Sequence, residues 1–275
     1  MSVQPSLPGP GSHAPTDSAH EQVRGSPQTR VILIGIGGAT CSGKTTLAKH
    51  LHNILPDSFI IHQDVRAPEV QLPIHPTLGR DWDSAPTAID WPRLRAFLRA
   101  VKRTARIPDD HSSHDHLNAQ KPVSLRESVA ARCQAEIMSV QKEVEDATGA
   151  RTVVGLVDGF LLYWDQEIID ALDARIFLRV PYDVLELRRS ERSENLGYVT
   201  AEGVFWKDPP GYFQELVYPA YVQAHRALFT DGDVEGGALL APGIVLIEPQ
   251  QMNMDDIFTR CCEELVSVIR RLLTG

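Results

Sequence analysis

The stretch "RVILIGIGGATCSGKTTLAKHL" runs from Arg30 to Leu51, and the fold is read outward from it. Its first nine residues form a continuous apolar run that ends in glycines. A strand of a parallel sheet, buried on both faces, reads this way. Gly38-x-x-x-x-Gly43-Lys44-Thr45 follows at once and fits the phosphate-loop pattern. Glycines let such a loop curl so that successive N–H groups point inward at an anion. The helix that follows adds its free N–H groups and the positive end of its dipole. Lys44 is then placed to reach the β- and γ-phosphates of a nucleotide, and the Thr45 hydroxyl to ligate Mg²⁺. A glycine-rich structural turn is the competing reading. The buried strand before the loop argues against it, as does the helix after, where Leu47, Ala48, Leu51, Ile54 and Leu55 share one face.

Downstream, strands and helices alternate. "SFIIHQD" (58–64) reads as a strand, "APTAIDWPRLRAFLRAVK" (85–102) as a helix with Leu94, Phe97, Leu98 and Val101 as its stripe, and 124–147 as a long helix opened by a Ser124-x-x-Glu127 capping pattern. "TVVGLVDGF" and "ARIFLRV" are further buried strands. "YDVLELRRSERS" is a helix, residues 194–211 a loop rich in Gly, Pro and aromatics, and 212–229 helical. "GIVLIEP" is a last strand before a closing helix. This order predicts an α/β fold, a parallel sheet with helices on both faces. Residues 1–29 are rich in Pro, Ser, Gly and His and hold too little apolar surface to offset their ordering entropy, so a disordered tail is expected there. Residues 30–275 are expected to form one domain, with a lid at about 188–212.

The chain has 275 residues and a formal net charge of -9, an unsuitable balance for wrapping a nucleic-acid backbone. The N-terminus lacks a secretory apolar run, and no apolar stretch is long enough to span a bilayer. Cys41, Cys133, Cys261 and Cys262 form no C-x-x-C pair, which points to a reducing compartment. The expected partners are a small-molecule substrate and neither nucleic acid nor membrane. The expected location is the cytoplasm, with the nucleus also open to it, and the expected state a monomer or homodimer.

Several side chains carry candidate chemistry. Asp64 falls at the C-terminal end of the second strand, where open α/β sheets bind ligands. A carboxylate there accepts a proton from a substrate hydroxyl or helps to hold Mg²⁺, against the alternative of a strand-ending cap. Trp82 could stack on a flat ring and Asp83 could accept from two vicinal hydroxyls; an N-cap beside a half-buried Trp is the simpler alternative. Asp158 ends the third buried strand as a second acidic group for the metal shell. Arg188 and Arg192 share a helix face while Arg189 points about 100° away, so one face could grip the nucleotide and the other the acceptor. Their place before a loop suits a lid that excludes water. "DDHSSHDH" (109–116) looks like a metal motif, but it lies in a polar loop and is read as solvated.

The segments "GATCSGKTTLAKHL", "IIHQD", "DWD", "VDGFLLY", "VPYDVLELRRSER" and "DPPGYFQELVYPAY" occur in this order, and the chain from about residue 31 to 275 resembles the nicotinamide riboside kinases. These are small P-loop kinases related to uridine kinases, and the chain resembles a fungal-type member with a divergent lid. The resemblance implies that Gly38, Ala39, Thr40, Cys41, Ser42, Gly43, Lys44, Thr45 and Thr46 bind the phosphates of ATP. It implies that Thr45 and Asp64 hold Mg²⁺, joined by Asp158, and that Asp64 accepts the proton of the ribose 5′-hydroxyl. Trp82 and Asp83 match the pair that contacts the nicotinamide ring and ribose. Arg188 and Arg192 match lid residues on the ATP side, Arg188 with Lys44 among the catalytic group, and Arg189 one on the substrate side. Glu248 to Gln250 would lie by the adenine.

The sequence also departs from the family. "VRAPE" follows Asp64 where a second Asp, aromatics and a Lys are usual, Asp158 stands for a usual Glu, and the lid is longer, with Tyr198, Phe205 and Trp206 as candidates for its aromatic. The implied reaction is phosphorylation of nicotinamide riboside to nicotinamide mononucleotide for NAD synthesis, with nicotinic acid riboside as a second substrate. A kinase of uridine or cytidine and a nucleotide-binding module without turnover are the alternatives.

Overall fold

The computed structural model describes residues 28–63, 71–109, 121–195, 198–199 and 205–274. Its centre is a five-stranded parallel sheet in the order β2-β5-β1-β6-β9. The strands are β1 (Gln28–Gly38), β2 (Ser58–His62), β5 (Ala150–Asp158), β6 (Ala174–Leu178) and β9 (Ile244–Ile247). Two short antiparallel hairpins stand apart from it, β3 (Ile74–His75) with β4 (Gly79–Arg80), and β7 (Tyr198–Val199) with β8 (Phe205–Trp206).

The alternation of side chains along β1 explains why both faces carry helices. Ile32, Ile34 and Ile36 face one core with α1 (Lys44–Ile54), α4 (Glu127–Thr148) and α8 (Met254–Arg271). Leu33 faces the other core, with α3 (Trp91–Thr104), α5 (Gln166–Ala171) and α7 (Tyr218–His225). The expected apolar stripes of α1 and α3 are both buried. Cys261 and Cys262 both lie in the core, and all four cysteines are free thiols. Among the described residues, no helix is long and apolar enough to cross a membrane.

Local readings failed where a tertiary partner or a backbone constraint won. The helix expected over 85–102 is broken into α2 (Ala85–Ala88) and α3, because the Asp90 carboxylate accepts from the Arg93 N–H at 3.1 Å and opens a new helix. Ser124 does not cap α4. Arg126 occupies the N-cap in an extended conformation, and its backbone N–H donates to Asp255 of α8 at 2.9 Å, while its guanidinium pairs with the same carboxylate. The helix expected over 212–229 begins as a π-helix (Phe213–Val217), becomes α7, and ends in a 3₁₀ turn. Pro219 at the start of α7 has no N–H and crowds the preceding turn, and the wider π turn accommodates it. The loop expected over 194–211 starts later, since α6 (Tyr182–Asn195) is longer, and it contains the β7–β8 hairpin. The first strand starts at Gln28, inside the expected tail, whose residues 1–27 are outside the described ones, as are 110–120 with most of the His-rich stretch.

Candidate active site

The strand order puts β1 between β5 and β6, and the loop after β1 opens over the C-terminal edge of the sheet. Gly38 ends β1 with φ +131°, and a Cβ built there would lie 2.4 Å from the Leu178 carbonyl oxygen on β6. Only glycine fits that approach. The chain then turns through Cys41 (φ +57°) and Gly43 (φ +102°) into α1. Gly43 caps α1 without a side-chain hydrogen bond, and the first turn holds no acidic residue. The N–H groups of that turn are therefore left to serve an anion.

Lys44 is buried under the loop, and its ammonium donates to the Ala39 carbonyl at 2.7 Å. Burial lowers its pKa, and the charge of Asp158 opposes the shift. Asp158 ends β5, in register with Ile36 of β1 and His62 of β2. Its Oδ2 accepts from the Thr45 hydroxyl at 2.5 Å and lies 3.2 Å from His62 Nδ1. Burial alone would raise this carboxyl. The His62 hydrogen bond, the Lys44 charge and the Thr45 hydroxyl outweigh it and hold the pKa below the ordinary value. Thr45 and Asp158 thus present two oxygen donors side by side, beside a loop built for phosphates. That set fits a hard divalent cation, which takes one or two protein oxygens and completes its shell from phosphate and water. Among the described residues, no group of three or more His, Cys, Asp and Glu could hold a metal by itself. Asp64, the expected proton acceptor, lies in segment 64–70, outside the described residues.

Three arginines of α6 stand near the phosphate loop. Arg188 Nη1 donates to the Cys41 carbonyl at 3.3 Å, and the charge of Arg192 is felt at Lys44. Arg189 reaches the same loop and also meets Asp208. Its Nε and Nη2 grip Asp208 at 2.7 and 3.1 Å, and its Nη1 donates to the Thr40 hydroxyl at 3.0 Å. Asp83 stands near enough for its charge to raise the Arg189 pKa, after burial and the Asp208 hydrogen bond have acted in opposite directions. Asp83 is fixed by an Asx turn, with Asp81 Oδ1 accepting from the Asp83 and Ser84 N–H groups at 2.9 and 3.0 Å. Trp82 and Asp83 are both half-buried.

Four residues in this region were not among the expected site residues. His62 contacts Asp158, and its signal was its place two residues before Asp64. Asp81 anchors the Trp82–Asp83 turn. Asp208 and Tyr212 come from "DPPGYF", a segment recognised for its family likeness but given no role. Tyr212 is buried, donates its hydroxyl to the Arg80 carbonyl at 3.3 Å, and is pushed up in pKa by burial and then by Asp83. Of the candidate lid aromatics, Trp206 packs edge-to-face on Tyr212 at 5.7 Å, and Phe205 is 62% exposed. At the far edge, Arg179 at the end of β6 holds Glu248 with two donors at 2.8 and 3.0 Å, fixing the start of the loop after β9.

No family model matches the chain. Curated relatives do. The Nicotinamide riboside kinase of Schizosaccharomyces pombe is 34% identical over 235 residues, covering 82% of this chain and 93% of the relative. The Nicotinamide riboside kinase of Saccharomyces cerevisiae is 32% identical over 257 residues, covering 88% and 98%. The human Nicotinamide riboside kinase 2 is 29% identical over 202 residues, covering 73% and 70%.

Proposed function

Because this chain belongs to the nicotinamide riboside kinase family, we propose a division of its site into a donor half around Lys44 and an acceptor half around Asp83 and Arg189. The protein is a phosphotransferase that uses ATP to phosphorylate nicotinamide riboside. The ribose 5′-hydroxyl is the acceptor, nicotinamide mononucleotide the product, and nicotinic acid riboside a second substrate.

In the donor half, N–H groups of residues 38–46 bind the ATP phosphates. Lys44 swings from the Ala39 carbonyl to the β- and γ-phosphates, a short move within the same loop. Arg188 and Arg192 close on the transferred group from α6. Thr45 and Asp158, with Asp64, would hold Mg²⁺, which would supply charge neutralisation to the phosphates. In the acceptor half, Asp83 accepts from the ribose diol, Trp82 stacks on the pyridinium, and Arg189 braces the sugar. The 5′-oxygen attacks the γ-phosphorus, its proton passes to Asp64, and the bond to the β-phosphate oxygen breaks to release ADP. Residues 30–275 act as one domain with a lid at about 188–212, working in the cytoplasm as a monomer or homodimer.

The observation that carries this reading is the trio at the C-terminal ends of the central strands: half-buried Thr45 donates its hydroxyl to the buried Asp158 carboxylate at 2.5 Å, within reach of the charge of buried Lys44. The test is ADP release with ATP, Mg²⁺ and a panel of nucleosides, for wild type and Asp64→Asn. Turnover is expected with the pyridine ribosides, and the variant should keep ATP binding while losing most activity. Turnover with uridine alone would overturn the substrate, ATP binding without turnover would point to a non-catalytic module, and a fully active Asp64→Asn would remove Asp64 as the base.

A further inference from the structure

We propose that Asp208 is a positioning residue of the acceptor site, a carboxylate that sets the direction of Arg189 and Trp206 and ties the lid hairpin to the phosphate loop. The inference rests on the reading of Arg189 as an acceptor-side residue. Asp208 follows β8. Its two oxygens take both Nε and Nη2 of Arg189, and Oδ1 also accepts from Trp206 Nε1 at 2.9 Å. Its backbone N–H donates to the Ser193 hydroxyl at 3.2 Å, which fastens the hairpin's exit onto α6. The third donor of the same guanidinium is spent on Thr40 of the phosphate loop.

An exposed ion pair with these partners would mean little. This one is only 20% and 14% exposed on its two sides, and it is two-pronged. A planar guanidinium held at two nitrogens cannot rotate, so its remaining face has one direction. The alternative partner is close by, because the charge of Asp83 reaches Arg189. Without Asp208, the arginine is free to pair with Asp83 and to occupy the carboxylate that the ribose diol needs. Trp206 would lose its anchor in the same step and with it a fixed stance against Tyr212. The loss should therefore fall on acceptor binding and leave the chemistry and the nucleotide nearly untouched.

The experiment is steady-state kinetics on the full chain with nicotinamide riboside, for Asp208→Asn, Arg189→Ala and the double variant, with melting curves to confirm folding. Asp208→Asn should raise KM for the riboside about tenfold, the scale of one charge-assisted hydrogen bond, with kcat and KM for ATP within about twofold of wild type. The double variant should fall well short of the product of the two single effects, because Asp208 acts mainly through the arginine. Multiplicative effects in the double variant would overturn the proposal. A KM unchanged by Arg189→Ala would overturn the reading of Arg189 and the proposal with it. If Asp208→Asn does not fold, Asp208→Glu replaces it: a raised KM supports the proposal and a wild-type KM overturns it.

Discussion

His225 is wholly buried on α7, with its ring 5.3 Å from Phe177 and 4.8 Å from Tyr221. Its Nδ1 lies 2.8 Å from the Tyr221 carbonyl, which can only accept, so the neutral ring carries its proton on Nδ1. Nε2 has no hydrogen-bond partner among the described residues. A second proton there would be a buried, unpaired charge. Burial accordingly pushes the pKa down to about 4, the Tyr221 carbonyl opposes this, and the charge of Lys44 adds to it. The unfolded chain takes up this proton near pH 6.5, the ordinary value. Below that pH the unfolded state binds a proton that the folded state refuses. The folded state is therefore fully stable, as far as this group goes, above pH 6.5, and it loses stability as pH falls toward 4. The slope is about 1.4 kcal/mol per pH unit, so the loss is about 2 kcal/mol at pH 5 and about 3 kcal/mol at pH 4. Urea melts of wild type and His225→Leu at pH 7.5, 6 and 5 isolate the effect, since other groups titrate alike in both. The wild type should lose about 2 kcal/mol of its advantage over the variant between pH 7.5 and 5. A difference between the two that stays constant to within about 0.5 kcal/mol would refute the reasoning.

Two substitutions probe the donor half. Gly38→Ala should destabilise by about 3 kcal/mol and abolish ATP binding, because the new methyl meets the Leu178 carbonyl at 2.4 Å with φ at +131°, and both sides are backbone; Gly43→Ala, with nothing within 4 Å, carries backbone strain alone and should cost about half as much in a thermal or urea melt. Asp158→Asn keeps the size and removes the charge that Thr45 and Lys44 answer, so kcat should fall about a hundredfold and the Mg²⁺ concentration for half-maximal rate should rise. A rate within twofold of wild type would place Asp158 outside the metal shell.

The shape of the phosphate loop was legible because it is local. One strand, the five loop residues 39–43 and one helix turn carry it, and each residue type has a reason within a few positions of its neighbours. The sheet was legible for the same reason, since buried strands and one-sided helices announce themselves by period. The contacts that join distant segments have no such locality. His62 meets Asp158 across 96 residues, and Arg189 meets Thr40 across 149. Contacts of that kind follow from strand register and from how α6 leans over the loop, neither of which a residue pattern encodes.

The same physics explains the misread helix start at Ser124. A capping box is a local bargain worth about 1 kcal/mol, and here the Arg126–Asp255 contact between α4 and α8 displaced it. It also explains why Asp208 went unremarked. In the sequence it is the first residue of a turn rich in proline and glycine, where aspartate is ordinary. Only the fold shows that its carboxylate is turned inward to meet a tryptophan and an arginine and, through the arginine, the phosphate loop. Phosphoryl transfer needs the two halves of the site to be assembled together, because a γ-phosphate exposed to water without an acceptor is hydrolysed. On the proposed division of the site, Arg189 links the two halves, since the same guanidinium touches Thr40 of the phosphate loop and Asp208 beyond the β7–β8 hairpin.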